Sequence, residues 1–195
     1  MTFGDGIEVF YPLTSLGVAA HEVSHGFTEQ HSNLAYYTQS GGLNESFSDM
    51  AAQAAEFYST KKNSWEIGPE IFKEDNQALR YMDEPTKDCP KGRSPGQHCS
   101  INHMSQYNES LDVHYSSGIF NKVFYLLGTA KGWDTKKAFD VMVKANMAYW
   151  TPTIDFYNAA NCVLKAAKDL NYSQAVVKKA FSDVGIWGIN VNNCK

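Results

Sequence analysis

Apolar residues recur at helical spacing through most of the chain and mark out a succession of helices. The first runs from about Ser15 to Gln30, with no proline and no interior glycine before Gly26. The polar and small residues of Ser32 to Gly42 then read as loop. A second helix, rich in Ala, Phe and Met, spans Asn44 to Thr60 and stops at the polar run Thr60–Asn63. The third covers Ser116 to Gly128, where Ile119, Phe120, Val123, Phe124 and Leu127 share one stripe. A fourth covers Thr135 to Met147, with Thr135 or Asp134 near its cap. The fifth runs from Phe156 to Leu170. The sixth runs from Ser173 to Val184, opened by Ser173. Residues 1–16 read as a short extended segment and turn, since Gly4-Asp5-Gly6 breaks any helix. Between 61 and 113 the periodicity vanishes, and DEPTKDCPKGRSPGQHC concentrates Pro, Gly and charge as surface loops do. No strand of convincing length follows residue 11. The pattern predicts a mainly α chain with one long irregular excursion.

Composition narrows the class. A length of 195 residues suits one large domain or two small ones. The helical pattern favours a single domain in three stretches: 1–60, 61–113 and a helical bundle over 114–195. A hydrophobic share of 43% fits a globular core, and a formal net charge of −4 comes with neither a basic stripe nor an acidic block. Nucleic acid is therefore not an expected partner. No apolar run reaches the ~18–20 residues needed to cross a bilayer, so no membrane partner is expected either. Met1 leads straight into TFGDGIEVFYPL, without the basic and apolar regions of a signal peptide. A secreted protein would be met here in processed or trimmed form. Cys89, Cys99, Cys162 and Cys194 contain no C-x-x-C pair, which argues against a thiolate zinc site. Their even number allows two disulfides in three pairings. Local closure favours Cys89–Cys99 and Cys162–Cys194, and such bridges imply an oxidising, extracellular setting.

The chemistry concentrates in His21-Glu22-Val23-Ser24-His25. On a helix the two histidines stand one turn apart on one face, and both imidazoles can reach one Zn²⁺ at ~2.0–2.1 Å. Glu22 lies about 100° further round, poorly placed to bind the same ion but able to touch a water beside it. A catalytic zinc wants three protein ligands and an open fourth position. Glu45, in Gly41-Gly42-Leu43-Asn44-Glu45-Ser46-Phe47-Ser48-Asp49, can supply the third if its helix packs on the first. Asp49 follows Glu45 by one turn and can accept the outer N–H of His21, fixing its tautomer.

HEVSHGFTEQ followed by GGLNESFSDMA resembles the thermolysin family of zinc metalloproteases. The likeness continues through Ala78-Leu79-Arg80-Tyr81-Met82-Asp83, Asp112-Val113-His114-Tyr115-Ser116-Ser117-Gly118, Gly132-Trp133-Asp134 and Tyr149-Trp150-Thr151. It covers essentially the whole chain. The GFTEQ run, the Asp-x-His spacing and the final cysteine pair are similar to the vibriolysin and pseudolysin branch. The resemblance implies the mainly α C-terminal domain of that fold and a secreted endopeptidase acting on proteins or peptides. It implies His21, His25 and Glu45 as ligands of one zinc ion and Glu22 as general base. Tyr36 and His114 would stabilise the oxyanion, Asp112 would orient His114, and Arg80 would bind the carbonyl on the leaving side. Phe10, Leu13, Val18, Ile67, Ile71 and Leu79 would line an apolar pocket and favour cleavage before bulky hydrophobic residues.

Two departures from the family qualify this picture. The related enzymes carry a β-rich N-terminal lobe ahead of this region, which would be a partner of this chain along with a propeptide. A non-catalytic zinc-binding fragment lacking that lobe is thus the alternative reading. The positions matching the family's calcium ligands are Gly17, Gln53, Glu56 and Ser64, of which only Glu56 is charged. Six to eight oxygen donors are wanted, so calcium binding there is expected to be weak or absent. An aminopeptidase would need an acidic cluster to grip the substrate amine, and the flanks of His21–His25 show none.

Overall fold

The computed structural model describes residues 3–194; Met1, Thr2 and Lys195 lie outside the described residues. Seven helices carry the architecture: α1 (Leu16–Gln30), α2 (Thr38–Thr60), the single turn α3 (Val113–Ser116), α4 (Gly118–Gly128), α5 (Thr135–Ala148), α6 (Phe156–Asp169) and α7 (Gln174–Asp183). Two short strands, β1 (Glu66–Ile67) and β2 (Arg80–Tyr81), pair antiparallel, with Glu66 opposite Tyr81 and Ile67 opposite Arg80. An isolated bridge joins Phe10 to Phe72. The chain is therefore mainly α, as its periodicity predicts, and residues 61–112 hold these strands and short 3₁₀ turns but no α-helix. No helix among the described residues is long and apolar enough to cross a membrane.

Helix α2 is the axis of the fold. From Ser40 to Gln53 every residue is buried, and α1, α3, α4 and α5 all pack on it. A helix enclosed on all sides needs small residues wherever a neighbour comes close. At Gly41 an added Cβ would meet Val113 Cγ1 at 2.4 Å, and at Gly42 it would meet Ser116 Oγ at 2.3 Å. The sequence places loop over Ser32–Gly42 and starts the second helix at Asn44; the helix in fact starts at Thr38. The paired glycines read as a breaker, but they serve the close approach of α3.

Other boundaries follow from caps. Ser15 accepts a hydrogen bond from Val18 N and starts α1. Of the two cap candidates for α5, Asp134 takes the role, accepting from Lys137 N at 2.8 Å. Ser173 holds the cap position of α7 without a side-chain bond. The segment expected over Ser116 to Gly128 divides into α3, ending at Ser116, and α4, starting at Gly118, where an added Cβ would meet Ile101 O at 2.2 Å. Phe47, Phe120, Phe124, Phe156 and Phe181 fill one contiguous core. Disulfides join Cys89 to Cys99 and Cys162 to Cys194, the pairing that local closure favours.

Candidate metal centre

Helices α1 and α2 pack along each other and bring one turn of each face to face. His21 and His25 project from α1, one turn apart, with their Nε2 atoms 3.1 Å from each other. From α2, Glu45 places Oε2 at 3.4 Å from His21 Nε2 and Oε1 at 3.5 Å from His25 Nε2. Two donors each ~2.0–2.1 Å from a tetrahedral zinc stand about 3.3–3.4 Å apart, so these separations have the size found within such a site.

The outer hydrogen bonds settle which nitrogen of each ring faces inward. His21 Nδ1 lies 2.8 Å from Asp49 Oδ1, a group that only accepts. His25 Nδ1 lies 2.8 Å from Asn44 Oδ1. The Asn44 amide is oriented by its Nδ2, which donates to Leu34 O at 3.1 Å. Both Nδ1 atoms therefore carry hydrogen. In the neutral rings both Nε2 atoms point bare lone pairs at one another and at Glu45. Glu45 Oε2 is buried and has no hydrogen-bond partner. Converging lone pairs around an orphaned carboxylate oxygen call for a cation, and two imidazoles with one carboxylate suit zinc.

The titration behaviour follows from the same contacts. Burial would pull His21 down, but its bonds to Asp49 and Glu45 outweigh this and raise it from 6.5 to about 9. Burial would raise Glu45, but His21 and Arg80 hold it lowered to about 2. Asp49 is buried too, yet Arg80 and His21 keep it well below the usual carboxylate range. Arg80, delivered by β2, grips Asp49 with two bonds of 2.7 Å, from Nε to Oδ2 and from Nη2 to Oδ1. Asn121 of α4 completes the set, donating to Asp49 Oδ2 at 2.8 Å.

A cavity of about 550 Å³ opens over this cluster, and Glu22, Tyr36, Arg80 and His114 stand around its wall. The Tyr36 hydroxyl donates to Glu45 Oε1 and lies 3.3 Å from His114 Nε2. Burial and the neighbouring Glu45 push Tyr36 above its ordinary value, so it keeps its proton at neutral pH. Asp112 holds His114 at Nδ1, 2.7 Å away. Of the six apolar residues named from sequence, Val18, Ile67 and Leu79 line the cavity. Phe10, Leu13 and Ile71 do not reach it. Phe10 stacks edge-on against Phe72, Leu13 packs on Gly4, and Ile71 is buried beneath Gly68.

Two residues of the cluster escape the sequence reading. Asn44 directly precedes Glu45, and that adjacency was its one available signal. Asn121 lies on another helix with no pattern pointing to Asp49. A second group of possible ligands, Asp88, Cys89 and Cys99, is spent: both thiols are in the disulfide.

Comparison with known proteins adds an independent line. Residues 32–186 match the model of the thermolysin metallopeptidase α-helical domain, and residues 1–29 match that of the thermolysin metallopeptidase catalytic domain. A zinc metalloproteinase of Legionella pneumophila is 57% identical over the whole of this chain, which spans 34% of that protein. A neutral protease of Vibrio proteolyticus is 51% identical over 95% of this chain and 29% of its own length. Among solved structures, the precursor of protealysin, a metalloproteinase from Serratia proteamaculans, superposes with a TM-score of 0.80. It shares 29% identity, covering 94% of this chain and 62% of that one. This chain thus spans about a third of the length of the curated relatives it matches.

Proposed function

The chain belongs to the thermolysin metallopeptidase family, in its vibriolysin branch, and from that footing we propose that it carries the catalytic centre of a secreted zinc endopeptidase. His21, His25 and Glu45 would hold the ion. When bound, zinc would supply Lewis acidity, polarising the scissile carbonyl and making a nearby water acidic. The observation that carries the reading is the convergence of two Nε2 atoms, 3.1 Å apart, on the Glu45 carboxylate, whose oxygens lie 3.4 and 3.5 Å from them.

The remaining roles belong to the protein. Glu22 faces the cavity, and no hydrogen bond or ion pair engages its carboxylate among the described residues. It takes the proton of the attacking water and passes it to the leaving amine nitrogen. The Tyr36 hydroxyl and His114 Nε2 donate to the developing oxyanion. Asp112 engages His114 at Nδ1 and so turns Nε2 towards the cavity. Arg80, held rigid by Asp49, presents its guanidinium to the carbonyl on the leaving side. Val18, Ile67 and Leu79 offer an apolar wall beside it, which supports cleavage before bulky hydrophobic residues. The two disulfides support secretion.

Calcium at the family position is proposed to be weak. The Glu56 carboxylate accepts from Ser64 N and Oγ, both at 3.0 Å. Gln53 Nε2 donates to Glu66 O, while its Oε1 accepts from Asn63 and Trp65 N. These oxygens are already engaged by the protein.

The test is Glu22→Gln in the full-length parent protein, with metal analysis beside hydrolysis of an internally quenched peptide. The variant should keep one zinc per chain and lose turnover by a factor of at least about a hundred, the lower range for a general base. Substantial turnover in the variant, or absence of metal from the wild type, would refute the assignment.

A further inference from the structure

A second cavity, of about 720 Å³, lies beside the first, and Asp112 forms part of its wall. Asp112 is bonded to His114, which lines the first cavity, so one carboxylate–imidazole pair separates the two spaces. The far side of the second cavity is the loop closed by Cys89–Cys99. Arg93, Gly96 and His98 face it from that loop, with Leu111 and Tyr115 completing the surface.

The loop is held in place at both ends. Asp88 accepts from Ser100 N at 2.9 Å and from Ser100 Oγ at 2.7 Å, locking its base beside the disulfide. Ile101 N donates to Tyr115 O, tying the following segment to the helical turn that carries His114. Within the loop, Gln97 N bonds Ser94 O and Gly96 N bonds Cys99 O. The side chains it displays are thus set at a fixed place relative to the catalytic pair.

The charges on that surface are unbalanced. Arg93 and His98 make no ion pair among the described residues. The one carboxylate in the wall, Asp112, is already engaged by the His114 backbone N–H and Nδ1. The Arg93 guanidinium is therefore a charge without a counter-ion in this wall, with the His98 imidazole beside it.

We propose that this second cavity is an outer subsite of the peptide-binding cleft, selective for an acidic side chain of the substrate through Arg93 and His98. The inference rests on the peptidase reading above and extends it to specificity. Ion pairs at so open a site are worth up to about 1 kcal/mol, so the preference should be modest and salt-sensitive.

The experiment uses the full-length parent protein and quenched peptides sharing one cleavage site. Glu is walked through the flanking positions, with Gln as its neutral control. At one position the Glu peptide should be cleaved about threefold to fivefold faster than the Gln peptide, and the ratio should fall towards one as salt rises. Arg93→Glu, on an exposed loop, should reverse the order at that position so that a Lys peptide exceeds the Glu peptide, leaving the ratios elsewhere as they were. His98→Asn should reduce the wild-type ratio in part. A wild-type enzyme with no charge preference at any position overturns the subsite, as does an Arg93→Glu enzyme with unchanged ratios. Hydrolysis of the neutral peptides would still stand in either case. Failure to cleave any peptide removes the peptidase reading itself, and the subsite with it.

Discussion

Asp49 gives up every lone pair it has. Oδ1 accepts from His21 and Arg80, and Oδ2 from Arg80 and Asn121, all at 2.7–2.8 Å. A buried carboxylate is tolerable only when satisfied in this way, and the satisfaction fixes His21 with Nε2 inward. The consequence for pH has a definite sign. His21 is raised from 6.5 to about 9, so its contribution to stability is complete below 6.5 and lost as pH rises through 9. Glu45 is lowered from 4.5 to about 2, so its contribution is present above 4.5 and lost as pH falls through 2. Zinc must displace the His21 proton. Its affinity should therefore strengthen about tenfold per pH unit between 6.5 and 9 for one proton displaced, then level off. Competition against a chromogenic chelator across that range measures the slope, and a flat profile would count against the inward Nε2. Much of this cluster is legible in the letters, since His21/His25 and Glu45/Asp49 are each one helical turn apart. Asn121 is not, because its link to Asp49 is made between helices far apart in sequence.

Helix α2 shows where periodicity stops being informative. A helix buried on all sides has no polar face, so its apolar pattern does not locate its ends. Gly41 and Gly42 then look like a stop, although they lie inside the helix. Gly26 and Gly42 make a controlled pair. Both are helical, and alanine is intrinsically better than glycine there by ~1 kcal/mol. A Cβ at Gly26 meets nothing within 4 Å, so Gly26→Ala should stabilise by about that amount. At Gly42 the same Cβ falls 2.3 Å from Ser116 Oγ and 3.1 Å from Phe156 Cζ. Overpacking of this kind typically costs ~1–3 kcal/mol, so Gly42→Ala should be net destabilising. Urea unfolding of the two variants reads the signs directly. Equal gains from both would mean that α3 can move away from α2 freely. Gly118, at the start of α4, is glycine for a related reason: its contact with Ile101 O is tertiary and leaves no local mark.

At the scale of the whole molecule, two disulfides cross-link the chain. With Gln53, Glu56 and Ser64 already bonded to protein groups, added calcium should leave the thermal midpoint unchanged, and a clear rise would show a site these bonds do not pre-empt. The two disulfides carry unequal loads. Cys162–Cys194 closes a separation of 32 residues and pins the C-terminal segment to α6, where Asn190 N also bonds Asn161 Oδ1. Cys89–Cys99 closes a separation of 10. Loop-closure entropy gives about 4 kcal/mol for the first and about 3 kcal/mol for the second. Their combined loss would exceed the ~5 kcal/mol at the lower end of a whole domain's stability. Replacing each pair by serine and measuring urea midpoints tests the order. The Cys162/Cys194 variant should lose more, since its bridge restrains the longer loop and the buried core beside Cys162. The reverse order would mean that the loop lining the second cavity, rather than the C-terminal segment, is what the unfolded chain finds hardest to close.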